Sequence, residues 1–231
     1  MTLQRIIYRT SQKSLPVRTF IHGIAFHLEV LMLNGYKKDP EVIRLIVKLR
    51  RERDLAVTAG EAYMVYSLAR QQHTLPGDMA EVGVYKGGTA KLICEVKGKT
   101  PLHLFDTFQG LPQPHARDAE FFQPGWYSGK LDGVQEYLQN YKNVFFYPGL
   151  FPATSAPVKN KKFSFVHLDV DLYQSMRDCL EFFHPRLLPG GVILAHDYQM
   201  PGVRDAISGY VKKSKARVIE LSSSQCLVLK P

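Results

Sequence analysis

The sequence predicts an α/β protein: a doubly wound, mostly parallel seven-stranded sheet preceded by an N-terminal helical extension. Three observations carry that expectation. From residue 79 onward, short apolar segments alternate with helical patterns, as successive β-α units do. Two segments, Phe165-Val-His-Leu-Asp169-Val-Asp171-Leu-Tyr173 and Leu188-Pro-Gly-Gly191-Val-Ile-Leu-Ala-His196-Asp197-Tyr198, are apolar runs ending in acidic residues, as buried parallel strands read where they empty into a crevice. The stretch Ala80-Glu81-Val82-Gly83-Val84-Tyr85-Lys86-Gly87-Gly88-Thr89 reads as a strand, a glycine turn and the start of a helix.

Taken in order, the chain to about Gln72 is helical. Asp39 is a good N-cap with Pro40 in the first helical position. Its helix shows an apolar face of Val42, Ile43, Leu45, Ile46 and Leu49. Thr58-x-x-Glu61 is a capping box that opens a helix through Tyr63, Tyr66 and Leu68. Pro76-Gly77-Asp78 then breaks the pattern, which divides the chain into an extension, 1–76, and a sheet domain, 77–231. Strands are expected over 79–84, 102–105, 144–147, 163–168, 191–195, 217–221 and 226–229. Helices are expected over 89–96, 134–141, 176–183 and 203–213. Only Ser222-Ser-Ser-Gln225 joins the last two strands, too few residues for a parallel crossover, so they pair antiparallel. The long segment 111–130 carries Phe121, Phe122, Trp126 and Tyr127 and is read as a lid, mobile when free and ordered over bound substrates.

At 231 residues the chain suits one α/β domain with an extension, and 45% hydrophobic content is ample for its core. Net charge is +9, and through Asp54 there are eleven Lys or Arg against five Asp or Glu. Much of that excess sits on the solvent side of one amphipathic helix, at Arg44, Lys48, Arg50, Arg51 and Arg53, and no nucleic-acid-binding signature accompanies it. No nucleic-acid partner is expected. The start, Met1-Thr-Leu-Gln-Arg-Ile-Ile-Tyr-Arg, lacks the apolar core of a signal peptide. The apolar run from Phe20 to Leu33 is too short to span a bilayer and carries His22, His27 and Glu29, so no stable membrane insertion is expected. Cys94, Cys179 and Cys226 are widely spaced with no C-x-x-C, which fits buried thiols in a reducing cytoplasm.

In an open α/β sheet, ligands bind outside the carboxyl ends of the strands. Adjacent strands tipped with Asp169, Asp171 and Asp197 would aim three carboxylates into one crevice, suited to a divalent cation or a general base. In the dinucleotide fingerprint the middle glycine lets the backbone approach a pyrophosphate. Here Tyr85 stands at that position between Gly83 and Gly88, so a nucleoside cofactor without a pyrophosphate fits better, and S-adenosylmethionine is the obvious one. Asp106, ending the second strand, lies where an acidic residue takes ribose hydroxyls.

The ordered set Glu81-x-Gly83-x-x-x-Gly87-Gly88, Asp106-Thr-Phe-Gln-Gly-Leu-Pro112, Tyr147-Pro-Gly-Leu-Phe-Pro152, Leu168-Asp-Val-Asp-Leu-Tyr173 and Pro189-Gly-Gly…His-Asp-Tyr198 resembles the macrocin and mycinamicin sugar O-methyltransferases, with the novobiocin sugar methyltransferase as a relative. The likeness runs from about Gly77 to the C-terminus. It implies a Rossmann-like class I methyltransferase that uses S-adenosylmethionine and Mg²⁺ to methylate a hydroxyl on a glycosylated natural product. The resemblance makes Glu81, Gly83 and Asp106 cofactor contacts, and Tyr85, Gly87, Gly88, Thr107, Gly149 and Asp169 complete the candidate cofactor set. It makes Asp169 and Asp197 metal ligands and Asp171 the general base. One departure stands out: His196-Asp197-Tyr198 replaces the adjacent acidic residues frequent in the family. His196 is open to three roles, as a metal ligand, a second base or a filler of the strand end, and loss of one carboxylate favours Mn²⁺ over Mg²⁺. A catechol or phenol O-methyltransferase, a catalytically silent cofactor-binding protein of the same fold and a nucleic-acid methyltransferase are the competing readings. A homodimer is left open.

Overall fold

The computed structural model describes residues 15–230 apart from Asp54. The stretch 1–9, expected to hold no signal peptide, lies outside them. The described residues fall into two compact units that divide between Tyr63 and Met64.

The first unit holds α1 (Leu15–Gly35), α2 (Pro40–Glu52) and the opening turn of α3 (Ala59–Gln72). Asp39 caps α2 by accepting the Glu41 N–H at 2.9 Å, with Pro40 at the first position. Val42, Ile43, Ile46 and Leu49 form the buried face of α2, while Arg44 and Lys48 stay exposed. The capping box of α3 is formed in both directions. Thr58 N–H donates to Glu61 Oε2 at 3.0 Å, and Glu61 N–H donates to Thr58 Oγ1 at 3.4 Å. Among the described residues no helix is long and apolar enough to cross a membrane.

The second unit is built on a seven-stranded sheet of β1 (Asp78–Val82), β2 (Leu102–Asp106), β3 (Val144–Pro148), β4 (Phe163–Leu168), β5 (Leu187–Ala195), β6 (Arg217–Glu220) and β7 (Cys226–Leu229). Their order is β3-β2-β1-β4-β5-β7-β6; the first five are parallel, and β7 runs antiparallel to both β5 and β6. The terminal hairpin follows from its short connection. Helices α4 (Gly88–Val96), α5 (Leu131–Leu138), α6 (Tyr173–Phe183) and α7 (Pro201–Lys213) are interleaved with the strands. One face of the sheet presents Ala80, Val82, Val166, Leu168 and Ile193 to Met176, Leu180 and Phe183 of α6 and to Val203 and Ile207 of α7. β4 is buried along its whole length, which explains why it is mostly apolar on both faces, and its two polar residues, Ser164 and His167, are buried with it. The strand order reverses between β1 and β4, and a crevice opens at such a switch point beyond the strands' carboxyl ends.

Candidate active site

At the end of β1 the glycine turn is set by close packing. A Cβ on Gly83, whose φ is +88°, would lie 1.8 Å from the Asp169 carbonyl oxygen, so only glycine lets β1 pass the tip of β4. Asp106 organises the same turn from the neighbouring strand. Its Oδ2 accepts the N–H groups of Val84 and Tyr85 at 2.7 and 2.8 Å, and its Oδ1 accepts that of Phe108 at 2.7 Å. Tyr85 takes a left-handed backbone (φ +51°), the conformation that favours glycine, and sets its ring edge-on to Tyr127 at 5.9 Å. Gly87 is the N-cap of α4 in a left-handed conformation, and Gly88 is its first residue. Thr107 Oγ1 donates to the Gly110 carbonyl at 2.7 Å, and the Gly149 N–H donates to the Asp106 carbonyl at 2.9 Å. Glu81 lies deeper. It is fully buried, and its Oε1 meets His167 Nδ1 at 2.8 Å across the β1–β4 pairing.

The acidic cluster assembles at the ends of β4 and β5. Asp169 N–H donates to the Val82 carbonyl at 3.0 Å, and His196 N–H donates to the Leu168 carbonyl at 2.8 Å, so the three strand tips stay in step. His196 Nδ1 lies 3.5 Å from Asp169 Oδ1 and 3.4 Å from Asp197 Oδ2. Asp171 and Asp197 both have φ of +57°, a strained region that aspartate tolerates better than most residues. Leu172 N–H donates to the Val170 carbonyl, so Asp171 is the central residue of a γ-turn of positive φ. Burial pushes the Asp169 carboxyl above the usual range, offset by His196 and reinforced by Asp197. Burial pushes Asp171 up further, with the charges of Asp197 and Asp169 adding to it. A cation would relieve that crowding. One donor atom from each of Asp169, His196 and Asp197 lies within 4.8 Å of the others. Two ligands about 2.1 Å from one ion at right angles stand about 3 Å apart, so spacings of 3.4 and 3.5 Å fit one shared ion after a shift of a few tenths of an ångström.

A family profile described as Macrocin-O-methyltransferase (TylF) matches residues 65–220. The chain belongs to that family. It is 29% identical, over 90% of this chain and 80% of the relative, to the 8-demethyl-8-(2,3-dimethoxy-α-L-rhamnosyl)-tetracenomycin-C 4'-O-methyltransferase of Streptomyces olivaceus. It is 31% identical to the mycinamicin III 3''-O-methyltransferase of Micromonospora griseorubida, over 59% of this chain and 61% of that enzyme. Among solved structures, the O-methyltransferase NovP shares the fold with a TM-score of 0.67 at 23% identity, covering 76% of this chain and 81% of that one. This macrocin-family protein is therefore an enzyme, a class I S-adenosylmethionine-dependent O-methyltransferase.

In this macrocin-family enzyme the loop after β2 is tied at its base and at its tip. Leu111 N–H donates to the Trp126 carbonyl at 2.8 Å, and Gly125 N–H donates to the Leu111 carbonyl at 2.9 Å. Phe122 is buried, and Phe121, Trp126 and Tyr127 are half-buried. At the tip, Asp118 accepts the Tyr173 N–H at the start of α6, at 2.7 Å. Asp118 and His167 are site-region residues that reading the sequence missed. Asp118 lies in a loop without periodicity, whereas His167 carried a signal: it sits in β4 two residues before Asp169, the spacing at which extended side chains share a side.

Proposed function

We propose that this enzyme methylates a sugar hydroxyl of a small glycosylated natural product, with a divalent cation assisting, in the cytoplasm. The observation that carries the reading is the convergence of Asp169, Asp171, His196 and Asp197 beside the glycine turn at the switch point. The rhamnosyl-bearing substrate in the tetracenomycin relative's name and the 3''-O position in the mycinamicin relative's name support a sugar acceptor. Free, buried Cys94, Cys179 and Cys226 support a reducing compartment.

Residues 77–231 form the catalytic domain in this reading, behind the extension 1–76. Gly83, Tyr85, Gly87, Gly88, Asp106, Thr107 and Gly149 frame the cofactor, with Glu81 beneath them and Asp169 bordering both cofactor and metal. Gly87 offers no side chain to cap α4, so the first-turn N–H groups suit the cofactor's carboxylate. Asp169, His196 and Asp197 would hold Mg²⁺ or Mn²⁺, which supplies a positive charge that lowers the pKa of the acceptor hydroxyl. Asp171 accepts the hydroxyl proton as the acceptor oxygen bonds to the methyl carbon and the carbon–sulfur bond breaks, leaving the thioether product. A carboxylate raised by burial is a stronger base than an exposed one, which suits it to that proton. Much of the rate comes from holding the two substrates in line.

The test is methyl transfer from S-adenosylmethionine to a panel of p-nitrophenyl glycosides, α-L-rhamnoside included, against catechol. Asp171→Asn should cut turnover by about 10²–10⁴-fold with cofactor binding retained. Asp169→Ala and Asp197→Ala should be partly restored by excess Mg²⁺ or Mn²⁺. Transfer to catechol alone would sink the sugar assignment, and a wild-type rate untouched by chelator would sink the metal. Abolition by His196→Ala beside a mild Asp171→Asn would move the base to His196.

A further inference from the structure

Three features of the segment after β4 belong together. Asp171 occupies the strained γ-turn closed by the Leu172 N–H and the Val170 carbonyl. Leu172, the N-cap of α6, is extended and offers no side chain to cap the helix. The missing cap comes from the loop: Asp118 Oδ1 accepts the Tyr173 N–H at 2.7 Å, while its Oδ2 accepts the His115 N–H at 2.7 Å. The seat is built to shape. The His115 ring lies 4.9 Å from the Tyr173 ring, and the Arg117 guanidinium lies 4.8 Å above the same ring. A Cβ on Gly202, in α7, would come within 2.1 Å of Asp118 Oδ1, so the start of α7 leaves room for the carboxylate only because glycine is there.

We propose that Asp118 is a positioning residue for Asp171: the loop tip, docked on the start of α6, holds the γ-turn that presents the base. The inference rests on the assignment of Asp171 as base. It makes closure of the loop and readiness of the base one event, because the turn's neighbour, Tyr173, is bonded by the loop itself. A free loop leaves the Tyr173 N–H without that acceptor and leaves the positive-φ backbone at Asp171 with less to hold it.

The experiment compares full-length wild type, Asp118→Ala and Asp118→Asn, the last keeping an oxygen for the Tyr173 N–H. Amide exchange at Leu172 and Tyr173 needs no acceptor, and should quicken by about tenfold or more in Asp118→Ala. Methyl transfer to p-nitrophenyl α-L-rhamnoside should fall by about 10²-fold in kcat, with S-adenosylhomocysteine affinity unchanged. Asp118→Asn, which keeps an oxygen for the Tyr173 N–H but turns its NH₂ toward the His115 N–H, should recover part of both. Unchanged exchange at Leu172 and Tyr173 overturns the inference, as does undiminished turnover in Asp118→Ala. A joint loss of melting temperature, cofactor affinity and kcat also overturns it, since that marks a general structural role. A severe Asp171→Asn beside a silent Asp118→Ala refutes the positioning role alone, whereas a mild Asp171→Asn refutes the base assignment and this inference with it.

Discussion

Replacing Asp106 with alanine is the most informative single change outside the acidic cluster. Its carboxylate accepts three backbone N–H groups, from Val84, Tyr85 and Phe108, at 2.7–2.8 Å. A hydrogen bond to a charged acceptor contributes about 1.5–3 kcal/mol. The site is part-buried, so water replaces some of that, and about 1 kcal/mol for each bond is the better figure. Asp106→Ala should therefore cost about 3 kcal/mol, which in a chain of this size is a fall in melting temperature of about 6–12 °C. Asp106→Asn keeps one acceptor oxygen but turns an NH₂ group toward an N–H donor, and should lose about half as much. Urea unfolding gives the stability, and calorimetry with S-adenosylhomocysteine below the unfolding range gives the affinity. The loosened turn should weaken binding by about tenfold, or 1.4 kcal/mol. A stability loss under about 1 kcal/mol would refute the organising role. A large stability loss with unchanged affinity would leave Asp106 as a purely structural brace and remove it from the cofactor site.

Two further outcomes follow from other charged and sulfur groups. Asp78 is held below the usual carboxylate pKa: burial opposes this, but His103 Nε2 at 3.0 Å and Lys161 Nζ at 3.4 Å prevail. A depressed folded pKa gives stability that is complete above the unfolded value of about 3.9 and is lost as pH falls through the folded one. Asp78→Asn should thus destabilise by about 1–2 kcal/mol at pH 7, and the gap to wild type should narrow in urea titrations at pH 3; a constant gap would refute the ion-pair account. Burial pushes the Cys94 and Cys226 thiols up to about 12 and raises that of Cys179 as well. Iodoacetamide at pH 8 should therefore add nothing to the native chain by intact mass and label all three cysteines after denaturation; rapid native labelling would contradict their burial.

What the sequence made legible, and what it hid, divides by the distance over which each feature is determined. The Asp39 cap, the Thr58–Glu61 box and the β6–β7 hairpin are each closed within a few residues, and each forms as its residue types require. The glycine turn and the acid-tipped strands were equally plain, because a buried parallel strand is apolar until it leaves the sheet. Boundaries fail where the cause is remote. The helix expected from residue 176 begins at Tyr173, because its first turn is capped by Asp118, fifty-five residues away in sequence. β5 begins at Leu187 rather than residue 191, its start masked by Pro189-Gly190-Gly191 and a register shift against β4. Gly83 was legible as a glycine of a cofactor turn, yet its nearest constraint is the Asp169 carbonyl, visible only once β1 is known to lie beside β4. The same adjacency brings Glu81 onto His167, eighty-six residues apart. Strand order is thus the information that single-sequence reading lacks. Local chemistry supplies the reactive groups, and the switch between β1 and β4 is what gathers Gly83, Glu81, His167 and Asp169 beside the candidate site.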